Sequence, residues 1–198
     1  IADGVLTFEV TAVITVVSSF AFYKAIKTLK EEEIPLTAVA SAMFFIASFI
    51  HIPFGVTQIH LMLIGFIGIF LGSLAFISIA IALILQALLL GFGGLSSLGA
   101  NILVMALPAY LVYLIFKLEI LKKLNEKVKF FLVGFLGVFI SSLLLFTVLV
   151  FSKDEYLAVA YSIIAVNIPT MILEGIVTMF LLLYIKKSMP KLLKETSL

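Results

Sequence analysis

The chain has 198 residues, of which 64% are hydrophobic and 12% carry a charge. A soluble domain of this size could not bury so much apolar surface, so the composition excludes a water-soluble globular protein and favours helices that face lipid. The chain has no Cys, which excludes a disulfide framework and a thiolate metal site. The first nine residues contain Asp3 and Glu9 but no Lys or Arg. They do not resemble a cleavable signal peptide, so we expect the first hydrophobic segment to be retained as a helix.

Seven apolar segments follow one another along the chain, separated by charges, Pro or Gly. A membrane-spanning helix needs about 20 mostly apolar residues. The third and fourth segments are not separated by any charge, but together they exceed one span, and Gly72-Ser73 offers a break between them. We therefore predict two helices joined by a tight turn. The predicted helices, all within a single transmembrane domain of residues 1–198, are 6–29, 35–50, 59–71, 74–91, 102–118, 128–151 and 157–186.

The lysines predict the orientation of these helices. All 13 basic residues are Lys, and 12 of them fall into three clusters, at 24–30, 117–129 and 186–194. The positive-inside rule places such clusters on the cytoplasmic side, which requires an odd number of spans. The sequence therefore predicts an all-α bundle of about seven transmembrane helices, with the N-terminus outside and the C-terminus in the cytoplasm.

Both histidines of the chain, His51 and His60, lie in one predicted outer loop. Neutral imidazole is a common ligand for cobalt, nickel, copper and zinc. Pro53 and Gly55 can fold the segment back so that its ends approach each other. A nine-residue separation is not a metal-pair signature, so the alternative that each His only anchors a helix end stays open.

A second predicted outer loop, residues 91–101, is rich in glycine and hydroxyl groups. It lacks the Lys and the spacing of a phosphate-binding loop. Irregular backbone at the membrane border persists where protein buries it or where it lines a cavity. The segment is therefore either a plain turn between helices or a cover packed over a site on the first loop.

Polar residues inside the predicted spans are few. Glu174 lies in the last helix, with Asn167 two turns before it. An intramembrane carboxylate usually faces the bundle interior, where it either fixes structure or takes part in ion transport. Its depth below the outer loops argues against Glu174 as a direct ligand of an outer metal. About four donors usually hold a transition metal tightly, and the outer face offers fewer strong ones than that.

Four stretches of the chain resemble one family in matching order, and the similarity extends to about Leu192. They are residues 1–6, 51–61, 86–101 and 167–175. The family is CbiM/NikM, the substrate-capturing membrane components of energy-coupling-factor cobalt and nickel transporters. The resemblance implies a multi-pass protein of the prokaryotic cell membrane.

The resemblance also implies a site. Members begin Met-His-Ile, and they bind their metal through the terminal amine, the backbone nitrogen and imidazole of that His, and a His of the loop after helix 2. It implies that His60 is a direct ligand and that two residues are missing before Ile1. Five residues are expected around the metal without binding it: His51, Asp3, Ser96, Ser97 and Asn101. Departures from the family pattern at Ile64, Val104 and Asn167 leave cobalt and nickel both open.

By the same resemblance, the chain is not an enzyme and has neither a resident cofactor nor a nucleic-acid partner; its cargo is Co²⁺ or Ni²⁺. The sequence has no Walker motif and no soluble domain that could bind ATP, so energy must come from partners. The implied partners are a transmembrane coupling protein, a cytoplasmic ATPase dimer and, in some systems, a small accessory membrane subunit. The alternative is a stand-alone carrier or channel for a divalent metal or other small solute. It would show an inverted repeat or a polar file across several helices, and neither is found.

Small residues suggest where a partner could dock. Gly68 and Gly72 have GxxxG spacing, and Ala38 and Ala42 repeat it on the second helix. Small residues let helices approach closely in lipid. Ordinary packing inside the bundle is the alternative explanation.

Overall fold

The computed structural model describes residues 1–54, 57–118 and 123–194. Within these residues the protein has seven helices of eight or more residues, one short helix at the end, and one antiparallel hairpin of two short strands. The helices are α1 (Phe8–Thr28), α2 (Ile34–Ala47), α3 (Ile64–Leu71), α4 (Ala75–Leu90), α5 (Leu98–Phe116), α6 (Glu126–Ser152), α7 (Leu157–Ser188) and α8 (Pro190–Lys194). The strands are β1 (His51–Phe54) and β2 (Thr57–His60).

Five helical segments of the described chain are long and apolar enough to cross a membrane. They are Phe8–Thr28, Ile64–Leu90, Leu98–Phe116, Glu126–Ser152 and Asp154–Ser188. The second of these combines α3 and α4. Helix α2 has 14 residues and extends about 21 Å, which is less than the ~30 Å hydrocarbon core. The helical membrane bundle is thus confirmed, while the count of seven crossings and the orientation stay predictions.

The chain reverses between α3 and α4, as the break at Gly72 predicts. A 3-10 turn covers Gly72–Leu74, and Gly72 has φ +53°, a conformation that glycine adopts without steric cost. Gly68 packs on Ala109 and Gly72 on Tyr113, so α3 runs parallel to α5. The end of α4 lies beside the start of α5, so α4 runs the opposite way.

The predicted third helix, residues 59–71, is wrong in its first half. Residues Thr57–His60 form a strand, and α3 begins only at Ile64. Hydropathy alone does not distinguish an apolar strand from an apolar helix, and here the strand is stabilised by pairing with β1. Leu63, just before α3, has φ +52°, the one positive φ of a non-glycine residue among the described ones.

Helix α5 begins at Leu98, four residues earlier than predicted. The Gly and Ser residues of this region suggested a loop, but Gly99 lies inside the helix. It is placed there by contact with α1: a Cβ on Gly99 would overlap Thr15, and the Ser18 hydroxyl donates a 2.6 Å hydrogen bond to the Gly99 carbonyl. Close helix approach thus explains this glycine.

Glycines also allow α3 to pack at the centre of the bundle. A Cβ on Gly65 would overlap the carbonyl of Val133 in α6, and one on Gly68 would overlap the carbonyl of Ala109 in α5. Gly68 and Gly72 are buried, so of the two sequence-based alternatives, a docking surface or internal packing, their contacts display internal packing. Ala38 and Ala42 remain exposed on α2.

We expect Gly65→Ala to destabilise the bundle, because the added methyl group must displace the backbone of α6. Overpacking of this kind costs roughly 1 to 3 kcal/mol. The measurement is thermal unfolding of the purified protein in detergent. The control Ala12→Val enlarges an exposed side chain of α1 and should leave unfolding unchanged; equal effects of the two variants would contradict the packing described here.

Candidate functional site

The first six residues form a strap, Ile1–Leu6, that lies across the start of α5. The Ile1 nitrogen donates to Asn101 Oδ1 at 2.7 Å. The Ile1 carbonyl accepts from Asn101 Nδ2 at 2.9 Å and from the Ser97 hydroxyl at 2.8 Å. Asn101 is buried in the first turn of α5, so it binds both backbone groups of Ile1 from a rigid position. At the other end of the strap, the Thr7 amide donates to the Ser152 hydroxyl at 2.7 Å.

Asp3 attaches the strap to the segment just before α5. Its carboxylate accepts from the Ser96 amide at 2.8 Å, from the Ser97 amide at 3.3 Å and from the Ser96 hydroxyl. These amides lie at the N-terminus of α5, where the helix dipole favours a negative charge. The hydrogen bond from the Ser96 side chain, aided by the backbone amides, lowers the pKa of the Asp3 carboxyl below its ordinary value.

The glycines of the 91–101 segment leave room for the strap. A Cβ on Gly94 would overlap the Asp3 carboxylate and backbone nitrogen. Gly93 has φ +73° and lies against the Asn101 side chain. The described contacts of this segment are therefore with the strap, a partner that neither sequence-based alternative named, and the predicted packing over the first loop stays a prediction.

A cavity of about 100 Å³ opens beside Ile1, between α4 and α5. Its polar lining includes Asn101 and Gln86. Gln86 is 7% exposed, and its amide nitrogen is one of three buried side-chain atoms without a hydrogen-bond partner in the described part of the chain.

The two histidines lie opposite each other at the open end of the β-hairpin, in the pair farthest from the turn. His51 and His60 are Cα partners, followed by Ile52 with Ile59 and Pro53 with Gln58. Beyond the two histidines, the Leu61 amide donates a 3.4 Å hydrogen bond to the Ile50 carbonyl, which extends the pairing by one step. The prediction that the ends of this segment approach each other is therefore confirmed. The His60 side chain is exposed.

The chain after the hairpin is attached to α7 through Glu174. The Glu174 carboxylate is fully buried and accepts from the amides of Met62 and Leu63, the latter at 3.0 and 3.1 Å from its two oxygens. Of the two roles left open by the sequence, the structural hydrogen-bond role is the one these contacts display. Asn167 lies apart from this group, and its side chain donates to the Ser142 hydroxyl of α6 at 3.0 Å.

The predicted site residues thus form two groups. Asp3, Ser96, Ser97 and Asn101 meet at the strap, whereas His51 and His60 pair in the hairpin. Across the described ranges, no three His, Cys, Asp or Glu side chains converge closely enough to hold a metal ion. Sequence reasoning missed that Asn101 binds Ile1 and that Glu174 binds the hairpin exit; the only signal for either was a polar residue within an apolar segment.

The chain is similar to known proteins along nearly its whole length. The profile of the CbiM family, described as the cobalt uptake substrate-specific transmembrane region, matches residues 1–192. The chain belongs to the CbiM family. A putative metal transport protein of Haemophilus influenzae is 30% identical over 99% of the chain and 97% of the relative, and a putative cobalt transport protein CbiM 2 of Methanosarcina barkeri is 33% identical over 90% and 83%. The crystal structure of a truncated transition metal transporter superposes with a TM-score of 0.77, at 27% identity, over 94% of this CbiM-family chain and 98% of the other.

We expect the attachment of the strap to depend on pH. The carboxyl pKa of Asp3 is lower in the attached state, so the contribution of Asp3 to attachment is complete above the ordinary carboxyl pKa of about 3.9 and is lost as pH falls through the lowered pKa. The chain has no Cys, so a nitroxide on Ala2→Cys is the only label, and its mobility can be measured by electron paramagnetic resonance as pH is lowered.

In the same labelled chain, Asp3→Asn should make the strap more mobile than in the original chain and remove the pH dependence, because an amide does not titrate and has no negative charge to interact with the N-terminus of α5. A label that stays immobile at low pH, or an Asn variant as immobile as the original chain, would contradict the role assigned to Asp3.

Proposed function

We propose that the chain is the membrane subunit of an energy-coupling-factor importer that captures Co²⁺ or Ni²⁺ at its outer face. The observation that carries the proposal is the strap, whose backbone at Ile1 is fixed on both sides by Asn101. Six hydrogen bonds join the strap to Ser96, Ser97 and Asn101, so the backbone around Ile1 is held in one place. A fixed terminus can contribute nitrogen ligands in a defined geometry.

The proposed metal lies between the strap and the histidine hairpin. Helix α5 contacts the strap through Asn101 and, two turns further along, packs through Ala109 on Gly68 of α3, the helix that follows the hairpin. The two contacts are about 12 Å apart along the helix axis. His60 is the proposed direct ligand from the hairpin. The remaining nitrogen donors come, in this proposal, from residues that precede Ile1 in the N-terminal pattern of the family.

The chemistry of this donor set suits the proposed cargo. Imidazole and amine nitrogens are strong ligands for Co²⁺ and Ni²⁺, whereas Mg²⁺ and Ca²⁺ require oxygen. His51, paired with His60 across the hairpin, and Asp3, Ser96, Ser97 and Asn101 are proposed to hold the ligand-bearing segments in place. Such supporting residues commonly affect metal affinity by about 10- to 100-fold.

Energy for uptake comes, in this proposal, from a transmembrane coupling protein and a cytoplasmic ATPase dimer, with a small accessory membrane subunit in some assemblies. The small residues Ala38 and Ala42 support α2 as the docking helix, because both are exposed in a row beside Val39 and Ile46. Hydrolysis of ATP belongs to the partners.

The capture site is tested by titrating the purified chain, with its natural N-terminus, with CoCl₂ and NiCl₂ in parallel by isothermal calorimetry. We expect one ion per chain, with binding abolished by His60→Ala or by removal of the residues before Ile1, because each change removes direct ligands. The control Ser162→Ala removes an exposed hydroxyl of α7 and should bind as the original chain does. Equal binding by intact, truncated and His60→Ala chains would refute the site.

Sidedness is tested by labelling single cysteines in intact cells with a membrane-impermeant maleimide. We expect Ala2→Cys to react from outside, and Lys27→Cys to react only after the membrane is opened, because the lysine clusters are expected in the cytoplasm. Both residues are exposed in the structure, so burial does not bias the comparison. Reaction of Lys27→Cys from outside, with Ala2→Cys protected, would reverse the proposed orientation.

A further inference from the structure

Glu174 accepts hydrogen bonds at a place where the backbone has no partner of its own. The first residues of α3 and the three residues before it are buried in the bundle, so their amides need acceptors within the protein. The Glu174 carboxylate accepts from the amides of Met62 and Leu63, which immediately precede α3. A carboxylate at a helix N-terminus also interacts favourably with the helix dipole. The buried carboxyl group and the buried amides thus satisfy each other's hydrogen-bonding groups.

The segment that Glu174 binds is strained. Leu63 lies in the left-handed region, with φ +52°. A non-glycine residue persists there only where its surroundings enforce the conformation. Leu61, Met62 and Leu63 are all buried, and both oxygens of Glu174 contact the Leu63 amide. The carboxylate is therefore part of what holds this turn.

This turn is also the exit of the histidine hairpin. His60 precedes Met62 by two residues, so its Cα lies within about 7 Å of the Met62 Cα. Strand β2, which His60 ends, contacts α7. On the other side, the Leu61 amide donates to the Ile50 carbonyl, and the Ile50 amide donates to the carbonyl of Ala47, the last residue of α2. Of these two attachments, the one through Glu174 connects the hairpin to the bundle interior.

We propose that Glu174 is a positioning residue for metal capture: its carboxylate, through the Met62 and Leu63 amides, sets the depth and direction at which His60 is presented. This inference rests on the proposed function. In this role, the length of the Glu174 side chain matters more than its charge. If Glu174 instead bound the ion in transit, its negative charge would matter more than its length.

Two substitutions separate reach from charge. Glu174→Asp keeps the charge but shortens the side chain by one methylene group, so its oxygens no longer reach both amides. Glu174→Gln keeps the length and an oxygen that accepts from the amides, but carries no charge. The matched control is Thr178→Val, one turn further along α7, where the side chain is also fully buried and its hydroxyl has no hydrogen-bond partner within the described chain.

The experiment titrates Co²⁺ into the full chain with its natural N-terminus, reconstituted in lipid nanodiscs. We expect Glu174→Asp to bind at least about 10-fold more weakly, and Glu174→Gln to bind within about threefold of the original chain, in line with other residues that orient metal ligands. Thr178→Val should bind as the original chain does. A nitroxide on Thr57→Cys should become more mobile in Glu174→Asp alone among the three variants, because only there is the hairpin exit released.

Each other outcome has a definite meaning. If Glu174→Gln binds as weakly as Glu174→Asp or more weakly, the charge itself is needed and the positioning role is refuted. If both variants bind normally, Glu174 does not position His60 and only this inference fails. If the original chain binds neither Co²⁺ nor Ni²⁺, the proposed function fails and this inference fails with it.

Discussion

A backbone amide at membrane depth must find an acceptor within the protein, and at the start of α3 that acceptor is Glu174. Helix α3 has only eight residues, and the Met62 and Leu63 amides that precede it lie outside any helix or strand. Both residues are buried, so these amides need an acceptor within the protein. Burying a carboxyl group is costly by itself, but here the hydrogen bonds from the two amides and the dipole of α3 offset the cost.

The same bundle uses glycine to bring backbones together where side chains would separate them. Gly65 and Gly134 let α3, α6 and α7 meet at the level of Glu174, and Gly99 lets α1 approach α5. Close packing of this kind replaces the hydrophobic effect, which does not drive association between helices in lipid. The result is a rigid frame at one end of which the strap is bound to α5 and the hairpin is bound to α7. The proposed capture site consists of the strap and the hairpin, which are both short. The positions of their ligands are therefore set by the helices to which they are bound.

Much of this arrangement is predictable from the sequence. Apolar segments and their Pro, Gly and charge boundaries identify the helices, and the reversal at Gly72 follows from length alone. The late start of α3, at Ile64 instead of residue 59, is not predictable in this way, because an apolar strand and an apolar helix can have the same hydropathy. Two histidines nine residues apart indicate a metal site only weakly, and their pairing across a hairpin depends on backbone hydrogen bonds that hydropathy does not report. Likewise, an Asn such as Asn101 inside an apolar helix identifies a buried polar contact without identifying its partner, which lies 100 residues away.

The central claim is that a strap and a hairpin bring nitrogen ligands to one cobalt or nickel ion. X-ray absorption at the cobalt edge, on the Co²⁺-loaded chain with its natural N-terminus, reports the donor atoms directly. The account predicts a shell dominated by nitrogen, with imidazole scattering that diminishes or disappears in His60→Ala. A shell of oxygen donors, or an imidazole signal that is unchanged in His60→Ala, would contradict it.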